Sequence, residues 1–270
     1  MTPDQLISQL KKWGVRYQET SGWKTRNRGN RGNGWSNLNG FMWHHTGSDG
    51  KDQISLLQKG YDSLPGPLCH FGVAQDGTVH LIGWGRANHA GSGDSDVLNA
   101  VVAENYGARP PKPNQTNVDG NGHFYGAEIW YSGSHGMTMQ QYSSMLKLSA
   151  AICDFHKWSA KSCIGHGEWQ PGKWDPGYKS GTMMDMSAVR NDISETLKGG
   201  SKPPAKPEPK PSTPKPSQPS SSSHKAVKGD TLYSMAKKYL GDGNKWPEIV
   251  KANPNLFPVQ VGKTYKIPGK

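Results

Sequence analysis

The apolar residues in the first half of the chain fall into short runs typical of buried strands. Residues 40–44 form one such run, and it ends in two adjacent histidines, His44 and His45. Residues 69–83 contain two further runs around an Asp-Gly pair at positions 76 and 77. An Asp-Gly pair between two apolar runs is a typical hairpin signal. We therefore expect a buried strand that delivers the histidine pair, followed by a hairpin.

The middle of the chain changes from a strand pattern to a helical one. Residues 125–131 predict a strand with one carboxylate, Glu128, inside an apolar run. Residues 138–158 and 186–197 instead repeat apolar positions every three or four residues, which predicts two amphipathic helices. The apolar positions are Met145, Leu148, Ile152 and Phe155 in the first helix, and Met186, Val189, Ile193 and Leu197 in the second.

Strands that pair locally and are then covered by helices predict an α/β domain with a mixed central sheet flanked by helices. Two segments do not fit this pattern. Residues 91–123 are rich in Gly, Asn, Pro and Asp, which predicts a long surface excursion. Residues 18–40 are irregular and basic.

A Pro/Lys/Ser-rich segment over residues 199–223 divides the chain. Its proline content favours an extended conformation, and its composition cannot build a core. We therefore predict a large domain over residues 1–198, a linker over 199–223 and a small domain over 224–270.

Charge is spread unevenly along the 270 residues, whose formal net charge is +11. Residues 199–270 hold 13 of the 32 basic residues but only 4 of the 21 acidic ones. This asymmetry favours attraction to a polyanion such as nucleic acid, a membrane surface or an anionic wall polymer. Basic residues are not interleaved with aromatic residues in a recognisable nucleic-acid motif, so we expect no nucleic-acid partner.

The cysteine pattern and the amino terminus indicate in which cellular compartment the protein is made. Three cysteines without a CxxC pair do not indicate a disulfide scaffold, and small buried thiols are expected. The amino terminus lacks a cationic region followed by an apolar one, so we predict no secretory signal. No run approaches the roughly 18 apolar residues of a membrane span, so no membrane insertion is expected.

The strongest chemical signal is the segment over residues 164–177, which Gly and Pro predict to be a loop and which carries His166, Lys173 and Asp175. A catalytic zinc site takes three protein ligands and keeps one position open. His166 and Asp175 are two candidates, and His44 at a strand end is the third. A single histidine is more often an ordinary surface residue, but His44 follows a buried strand and His166 lies between glycines.

Several separated motifs resemble the type-2 N-acetylmuramoyl-L-alanine amidases, a family that includes phage lysins and the peptidoglycan recognition proteins. The motifs are Trp43-His44-His45-Thr46, Cys69 to Val79, Asn88-His89-Ala90-Gly91, Gly165-His166 and Lys173-Trp174-Asp175-Pro176-Gly177. The resemblance covers roughly residues 35–180. It implies a sheet flanked by helices, with one catalytic zinc ion held by His44, His166 and Asp175.

The resemblance also implies roles for the neighbouring residues. Glu128 would accept a proton from water and pass it to the leaving amine, and Lys173 would face the developing oxyanion. Cys69 stands where some relatives have a catalytic tyrosine, which leaves these roles to Glu128 and Lys173. His70, Asn88 and His89 would line the substrate groove. The alternatives are a structural role for His70, a solvent-facing side chain for Glu128 and an ordinary surface position for Lys173.

Residues 224–268 resemble a LysM module, a βααβ unit that binds glycans containing N-acetylglucosamine. Leu232, Met235, Ala236 and Tyr239 would form the apolar face of its first helix. The implied glycan-binding residues are Gly229, Asp230, Thr231, Asn253, Pro254, Asn255 and Leu256. Asp230 and Asn253 also suit helix caps and turns.

Together these features predict a monomeric peptidoglycan hydrolase that cleaves the amide between N-acetylmuramic acid and L-alanine. Its LysM module would hold it to bacterial peptidoglycan. The expected setting is a phage endolysin made in the host cytoplasm and released onto the wall, ahead of a bacterial autolysin exported by another route. A non-catalytic peptidoglycan-binding protein and a zinc endopeptidase of the stem peptide are the alternatives. Host and stem-peptide preference are left open.

Overall fold

A computed structural model describes residues 1–29, 35, 38–200, 222–227, 230–241, 245–253, 256, 259 and 261–269. Its helices are α1 (Pro3–Lys12), α2 (Ile54–Lys59), α3 (Ser95–Val102), α4 (Met139–His156), α5 (His166–Trp169), α6 (Met186–Gly199), α7 (Leu232–Leu240) and α8 (Trp246–Ala252). Short 3-10 turns cover Gly120–Gly122 and Ala160–Ser162. No helix among these described residues is long and apolar enough to cross a membrane.

The strands are β1 (Tyr17–Glu19), β2 (Gly40–His45), β3 (Gly60–Tyr61), β4 (Leu64–Pro65), β5 (Phe71–Val73), β6 (Val79–Leu81), β7 (Ser92–Gly93), β8 (Val118–Asp119), β9 (Phe124–Ile129), β10 (Cys163–Gly165), β11 (Gly177–Lys179), β12 (Thr182–Met183), β13 (Ser222–Lys225) and β14 (Thr264–Ile267). Six of them form one sheet in the order β1-β6-β5-β9-β2-β10. All neighbours in this sheet are parallel except the β5–β6 hairpin. The predicted mixed α/β fold is therefore confirmed.

The two faces of the sheet carry different side chains because successive residues of a strand point to opposite sides. In β2, Phe41 and Trp43 join the large core that α4 and α6 complete. Met42 packs on the other face with Ile164 of β10 and Trp169 of α5. His44 is two residues beyond Met42, so it shares this second face.

The predicted strands, hairpin and helices all occur, with small shifts at their ends. Both long helices begin at a cap: Thr138 accepts a hydrogen bond from the Gln141 backbone, and Asp185 from that of Ser187. Met145, Leu148 and Ile152 are buried as predicted, whereas Phe155 is half-buried. Helical periodicity read from the sequence therefore located both elements.

Two sequence-based expectations need correction. The excursion over residues 91–123 contains helix α3, which buries Val97 and Val101. Asp94 caps this helix, and its Oδ2 also accepts backbone hydrogen bonds from Asn114 and Gln115 at 2.7 and 3.1 Å. The polar composition of this segment therefore reflects internal capping as well as exposure.

The segment over residues 164–177 was expected to be a loop throughout, but it begins with regular structure. Ile164 and Gly165 lie in β10, and His166 opens the single-turn helix α5. Buried Glu168 in this turn forms a two-pronged ion pair with Arg190 of α6, at 2.7 and 2.8 Å. The turn that carries His166 is thereby held to the following helix.

The three cysteines are free and buried, as the sequence favours. Cys153 of α4 and Cys163 of β10 place their Sγ atoms 3.5 Å apart. Cys69 lies apart from them in the small cluster that packs around Trp130. All three contribute small side chains to the core.

The described residues from Ser222 onward, called the C-terminal module, form β13, α7, α8 and β14 in that order. The two strands pair antiparallel, with Ser222 opposite Ile267. Trp246 of this module places its ring 6.1 Å from that of Tyr142 on α4. The predicted linker lies outside the described residues over 201–221.

Candidate active site

Three parallel strands deliver the candidate residues to one edge of the sheet. The strands β2, β9 and β10 are neighbours, and their carboxyl ends meet at the same edge. His44 of β2 is the direct partner of Glu128 on β9. His166 follows β10 immediately. Clefts at the carboxyl ends of parallel strands are the usual ligand sites of such sheets.

His44, His166 and Asp175 converge there and are called the His–His–Asp cluster. The two Nδ1 atoms are 3.1 Å apart, and each lies 3.0 Å from Oδ2 of Asp175. Both histidine side chains are buried, and that of Asp175 is 14 % exposed. Among the described residues, this is the one group of three or more potential ligands that meets closely enough to hold a metal.

The cluster fits a zinc ion in both chemistry and size. Imidazole nitrogen and carboxylate oxygen are ordinary zinc ligands, and two histidines with one acid leave a fourth position open. Tetrahedral bonds of about 2.0–2.1 Å place neighbouring ligand atoms roughly 3.3 Å apart. The observed spacings of 3.0 and 3.1 Å are close to this value.

Local contacts bring His166 and Asp175 together although nine residues separate them. The Gly167 N–H donates to the Asp175 carbonyl at 2.9 Å. A Cβ at Gly167 would lie 2.9 Å from the Lys173 carbonyl, so this close approach requires glycine. His45 holds the same segment from β2, because its Nδ1 accepts the Gly177 N–H at 2.9 Å. The second histidine of the pair is therefore a support for the Asp175 segment.

The electrostatics of the cluster suit metal binding. Burial lowers the pKa of His44 to about 4, so its ring is neutral at neutral pH. Burial opposes ionisation of Asp175, but its contacts with His166 and His44 lower the pKa of the carboxyl below its ordinary value. Neutral imidazole and charged carboxylate are the forms that bind metal.

Glu128 lies beside the cluster and is half-buried. Burial, and then the nearby charge of Asp175, raise the pKa of Glu128 well above its usual value. Its Oε2 atom has no hydrogen-bond partner within the described part of the chain. A carboxylate with a raised pKa and an uncommitted oxygen suits proton transfer at neutral pH.

A cavity of about 440 Å³ opens over these residues. Exposed Lys173 and half-buried Trp174 line it, and Trp174 packs on His45 with ring centroids 4.5 Å apart. The lining also includes the uncharged side chains of Leu56, Leu57, Tyr61, Leu64 and Leu68. Tyr61 and Leu64, from the β3–β4 hairpin, remain 54 % and 46 % exposed. The cavity lining therefore combines charged side chains with a group of uncharged ones.

The three residues expected in the substrate groove have different positions. Asn88 and His89 line the cavity. His70 does not; it is fully buried, its Nε2 lies 2.8 Å from the Gly85 carbonyl, and its Nδ1 accepts the Gly126 N–H. The expectation of substrate contact for His70 is therefore replaced by a structural role. Backbone partners that only the fold supplies satisfy both of its nitrogens.

The candidate glycan residues of the C-terminal module are only partly described, since Gly229, Pro254 and Asn255 lie outside the described residues. Asp230 Oδ2 accepts the Val227 N–H at 2.7 Å and lies 2.7 Å from Nε2 of His224. Thr231 caps α7, and Asn253 is buried with its amide bonded to backbone. Leu256 is half-buried and accepts the Tyr265 hydroxyl at its carbonyl.

At this sheet edge, two histidines and one aspartate lie close enough together to hold a metal ion, beside a carboxylate and a cavity. The sequence profile of the N-acetylmuramoyl-L-alanine amidase family, Amidase_2, matches residues 34–178. This match covers more than half of the chain, which therefore belongs to that amidase family. A comparison with curated proteins finds no match.

A comparison with solved structures finds several similar chains. One is the endolysine N-acetylmuramoyl-L-alanine amidase LysCS from Clostridium intestinale URNW, at 17 % identity and a TM-score of 0.38, covering 61 % of this chain and 88 % of that one. A selenomethionine derivative of AmpD matches at 17 % identity and a TM-score of 0.40, covering 60 % of this chain and 87 % of that one. PlyL matches at 13 % identity and a TM-score of 0.38, covering 59 % of this chain and 84 % of that one.

The sequence interpretation missed two residues that touch the site's histidines. Gln170 places Oε1 3.1 Å from Nε2 of His166. Asn121 accepts backbone hydrogen bonds from His89, Ala90 and Gly91 at one oxygen. The contact of Gln170 with His166 could have been predicted, because residues four apart on a helix are neighbours. That of Asn121 could not, since 32 residues separate it from His89.

Proposed function

We propose that the protein is a zinc-dependent N-acetylmuramoyl-L-alanine amidase, with one ion held by His44, His166 and Asp175. The observation that carries this proposal is the convergence of three ligand atoms within about 3 Å beside a carboxylate of raised pKa. When bound, zinc lowers the pKa of water towards neutrality and polarises a carbonyl. Membership of the amidase family supports the same chemistry.

Glu128 is the proposed general base and then the general acid. It accepts the proton of the attacking water and returns it to the leaving amine nitrogen of L-alanine, so that the proton balance closes. Its position opposite His44 on the neighbouring strand supports this role. Its uncommitted Oε2 supports it further.

Lys173 is proposed to stabilise the negative charge that develops on the scissile carbonyl oxygen. It belongs to the cavity wall and lies two residues before Asp175. Its exposure leaves the ammonium free to approach a substrate that enters the cavity. Asn88 and His89 also line the cavity, and Asn88 is proposed to contact the substrate there.

We propose that the C-terminal module is a LysM domain that binds wall glycans containing N-acetylglucosamine. The β-α-α-β order of its elements and its sequence motifs support this assignment. A glycan anchor on a linker raises the local substrate concentration without adding catalytic contacts. The excess of basic residues after residue 199 also favours binding to an anionic cell wall.

The biological role proposed from this modular design is that of an endolysin. It would be made in a host cytoplasm and act as a monomer on bacterial peptidoglycan after release. The resemblance of the catalytic motifs to phage lysins supports this setting. Peptidoglycan is the only macromolecular partner that the proposal requires.

Digestion of purified peptidoglycan, with mass analysis of the released fragments, tests the catalytic proposal. We expect intact stem peptides beginning with L-alanine, loss of their release after chelation, and recovery when zinc is added. Fragments that begin within the stem would establish a zinc endopeptidase instead. A protein that holds no zinc and releases no amino groups would be a binding protein.

Sedimentation with insoluble wall tests the anchor, using full-length protein that has been stripped of metal. Soluble N-acetylglucosamine oligomers are expected to release the protein from the pellet. Retention that these oligomers leave unchanged contradicts the LysM assignment.

A further inference from the structure

The two histidines of the His–His–Asp cluster are arranged alike. Each presents Nδ1 to the cluster and turns Nε2 away from it towards a defined partner. Nε2 of His44 lies 3.1 Å from Nδ1 of His89, and Nε2 of His166 lies 3.1 Å from Oε1 of Gln170. A metal ligand needs its free lone pair on the nitrogen that faces the ion, so these outer contacts bear directly on metal binding.

The partners of His89 fix where its hydrogen lies. Its Nε2 is 3.0 Å from the Phe124 carbonyl, which can only accept, so Nε2 of His89 carries the hydrogen. His89 is buried, and a neutral ring that carries its hydrogen on Nε2 has its free lone pair on Nδ1, which is then the acceptor. His44 must then donate from Nε2, which leaves its own Nδ1 lone pair directed at the cluster.

Gln170 gives the same result for His166. Its Oε1 accepts a hydrogen from Nε2 of His166, so the Nδ1 lone pair of that ring also faces the cluster. The two contacts differ in exposure, because His89 is 8 % exposed whereas Gln170 is half-buried. The contact made by His89 is therefore shielded more fully from competing water.

The fold keeps His89 in place independently of its ring. Asn121 Oδ1 accepts the backbone N–H groups of His89, Ala90 and Gly91 at 2.9, 2.8 and 3.3 Å. A Cβ at Gly126 would lie 2.3 Å from Nδ1 of His89, so β9 leaves room for this ring only because residue 126 is glycine. Two residues from separate segments, Asn121 and Gly126, therefore serve the position of one imidazole.

We propose that His89 is a positioning residue that holds His44 in the tautomer and orientation required for metal binding, with Gln170 doing the same, more weakly, for His166. This inference rests on the proposed zinc site. It gives His89 a different task from the substrate contact expected from the sequence, and the two tasks predict different measurements. A positioning role changes zinc affinity, whereas a substrate contact changes KM at unchanged zinc affinity.

Zinc affinity measured by competition with a chromophoric chelator tests the inference on full-length protein. We expect His89→Ala to weaken zinc binding about 10- to 100-fold, the range for loss of such outer hydrogen bonds. His89→Asn should lose less, because its Oδ1 can take the place of Nδ1 as acceptor. Gln170→Ala should also lose less than His89→Ala. Absorption spectra of the cobalt-loaded variants report the ligand geometry without any assay of activity.

His135→Ala serves as the matched control, since His135 is 57 % exposed and contacts Asp49 away from the cluster. It should bind zinc as the unaltered protein does. Thermal unfolding of each variant separates lost positioning from lost folding, and Gln170→Ala keeps the test informative if His89→Ala does not fold.

The outcomes separate this inference from the proposed function. If folded His89→Ala and Gln170→Ala both bind zinc within twofold of the unaltered chain, the positioning role is wrong while the zinc site stands. A higher KM at unchanged zinc affinity would assign His89 to the substrate. If the unaltered chain binds no zinc, both the inference and the proposed zinc activation are wrong.

Discussion

In the cavity at the sheet edge, the side chains predicted as metal ligands point towards one another. In the C-terminal module, the side chains of Asp230, Thr231 and Asn253, which were predicted to bind glycan, instead bond to nearby backbone. His44, His166 and Asp175 meet within 3.1 Å at a cavity. Asn253 instead donates to the Ile249 and Lys266 carbonyls and accepts the Lys266 N–H, each at 2.7 Å. Similar residue types therefore build a reactive site in one region and a scaffold in the other.

The difference teaches how a polar motif should be interpreted. Short polar side chains such as Asp, Thr and Asn satisfy helix ends and turns, so their presence in a motif does not by itself indicate ligand contact. In the C-terminal module, Thr231 caps α7 and Asp230 accepts the Val227 N–H. In the cavity, by contrast, Oε2 of Glu128 has no partner among the described residues.

The largest expected effect comes from separating metal binding from proton transfer within the cavity. Asp175→Ala removes a ligand, so both zinc and activity should be lost, with activity falling roughly a hundredfold or more. Glu128→Gln should retain zinc while kcat falls about 10²- to 10⁴-fold, the usual contribution of a general base. Metal content and the rate of release of wall amino groups give the two readouts.

Glu195→Gln on α6 is the matched control, and we expect it to change neither readout. A Glu128→Gln protein that retains full activity would exclude this carboxylate as the base. A zinc-free but active Asp175→Ala protein would contradict the metal mechanism.

The next effect concerns the contact between the two regions. Asp192 of α6 is buried, accepts the Tyr142 hydroxyl at 2.7 Å, and interacts with Thr231 of the C-terminal module. Burial raises the pKa of Asp192 to about 7 from the model-compound value of 3.8. Between these two values the folded protein holds a proton that the unfolded chain has released. The free energy of unfolding should therefore fall as pH rises from about 4 to 7.

The expected loss reaches at most about 4 kcal/mol, since each pKa unit corresponds to about 1.4 kcal/mol. Asp192→Asn does not titrate, so its stability should depend less on pH across this window. Denaturant unfolding at several pH values measures the difference, with Asp62→Asn at the exposed hairpin as control. Parallel pH curves for the unaltered protein and Asp192→Asn would refute the assignment.

The smallest expected effect tests the scaffold role in the C-terminal module. Asn253→Ala leaves two carbonyls and one N–H without their partner and should destabilise the module by about 1–3 kcal/mol. Its thermal unfolding should shift, and any loss of wall retention should follow the loss of folding. Exposed Asn99→Ala of α3 is the control. If Asn253→Ala keeps its stability and loses wall binding, this side chain contacts the glycan after all.

How far the sequence predicted the molecule can be judged from particular elements. The strand before His44, the Asp76-Gly77 hairpin and helix α4 were predictable, because each follows a local pattern of period or turn chemistry. Helix α3 was not predicted, because its short amphipathic pattern lies within a Gly- and Asn-rich segment. The burial of His70 was also missed, since its two backbone partners come from distant strands and loops.

The sequence by itself determined most strands and helices of the sheet domain, the candidate ligand set and the amidase family. These depend on local periodicity and on motifs whose spacing can be read along the chain. Only the tertiary structure decided that His44 lies opposite Glu128, that His45 supports the Asp175 segment, and that His89 contacts His44. The reason is physical: strand register and loop packing bring together residues 45 to 132 positions apart. No local pattern encodes such distances.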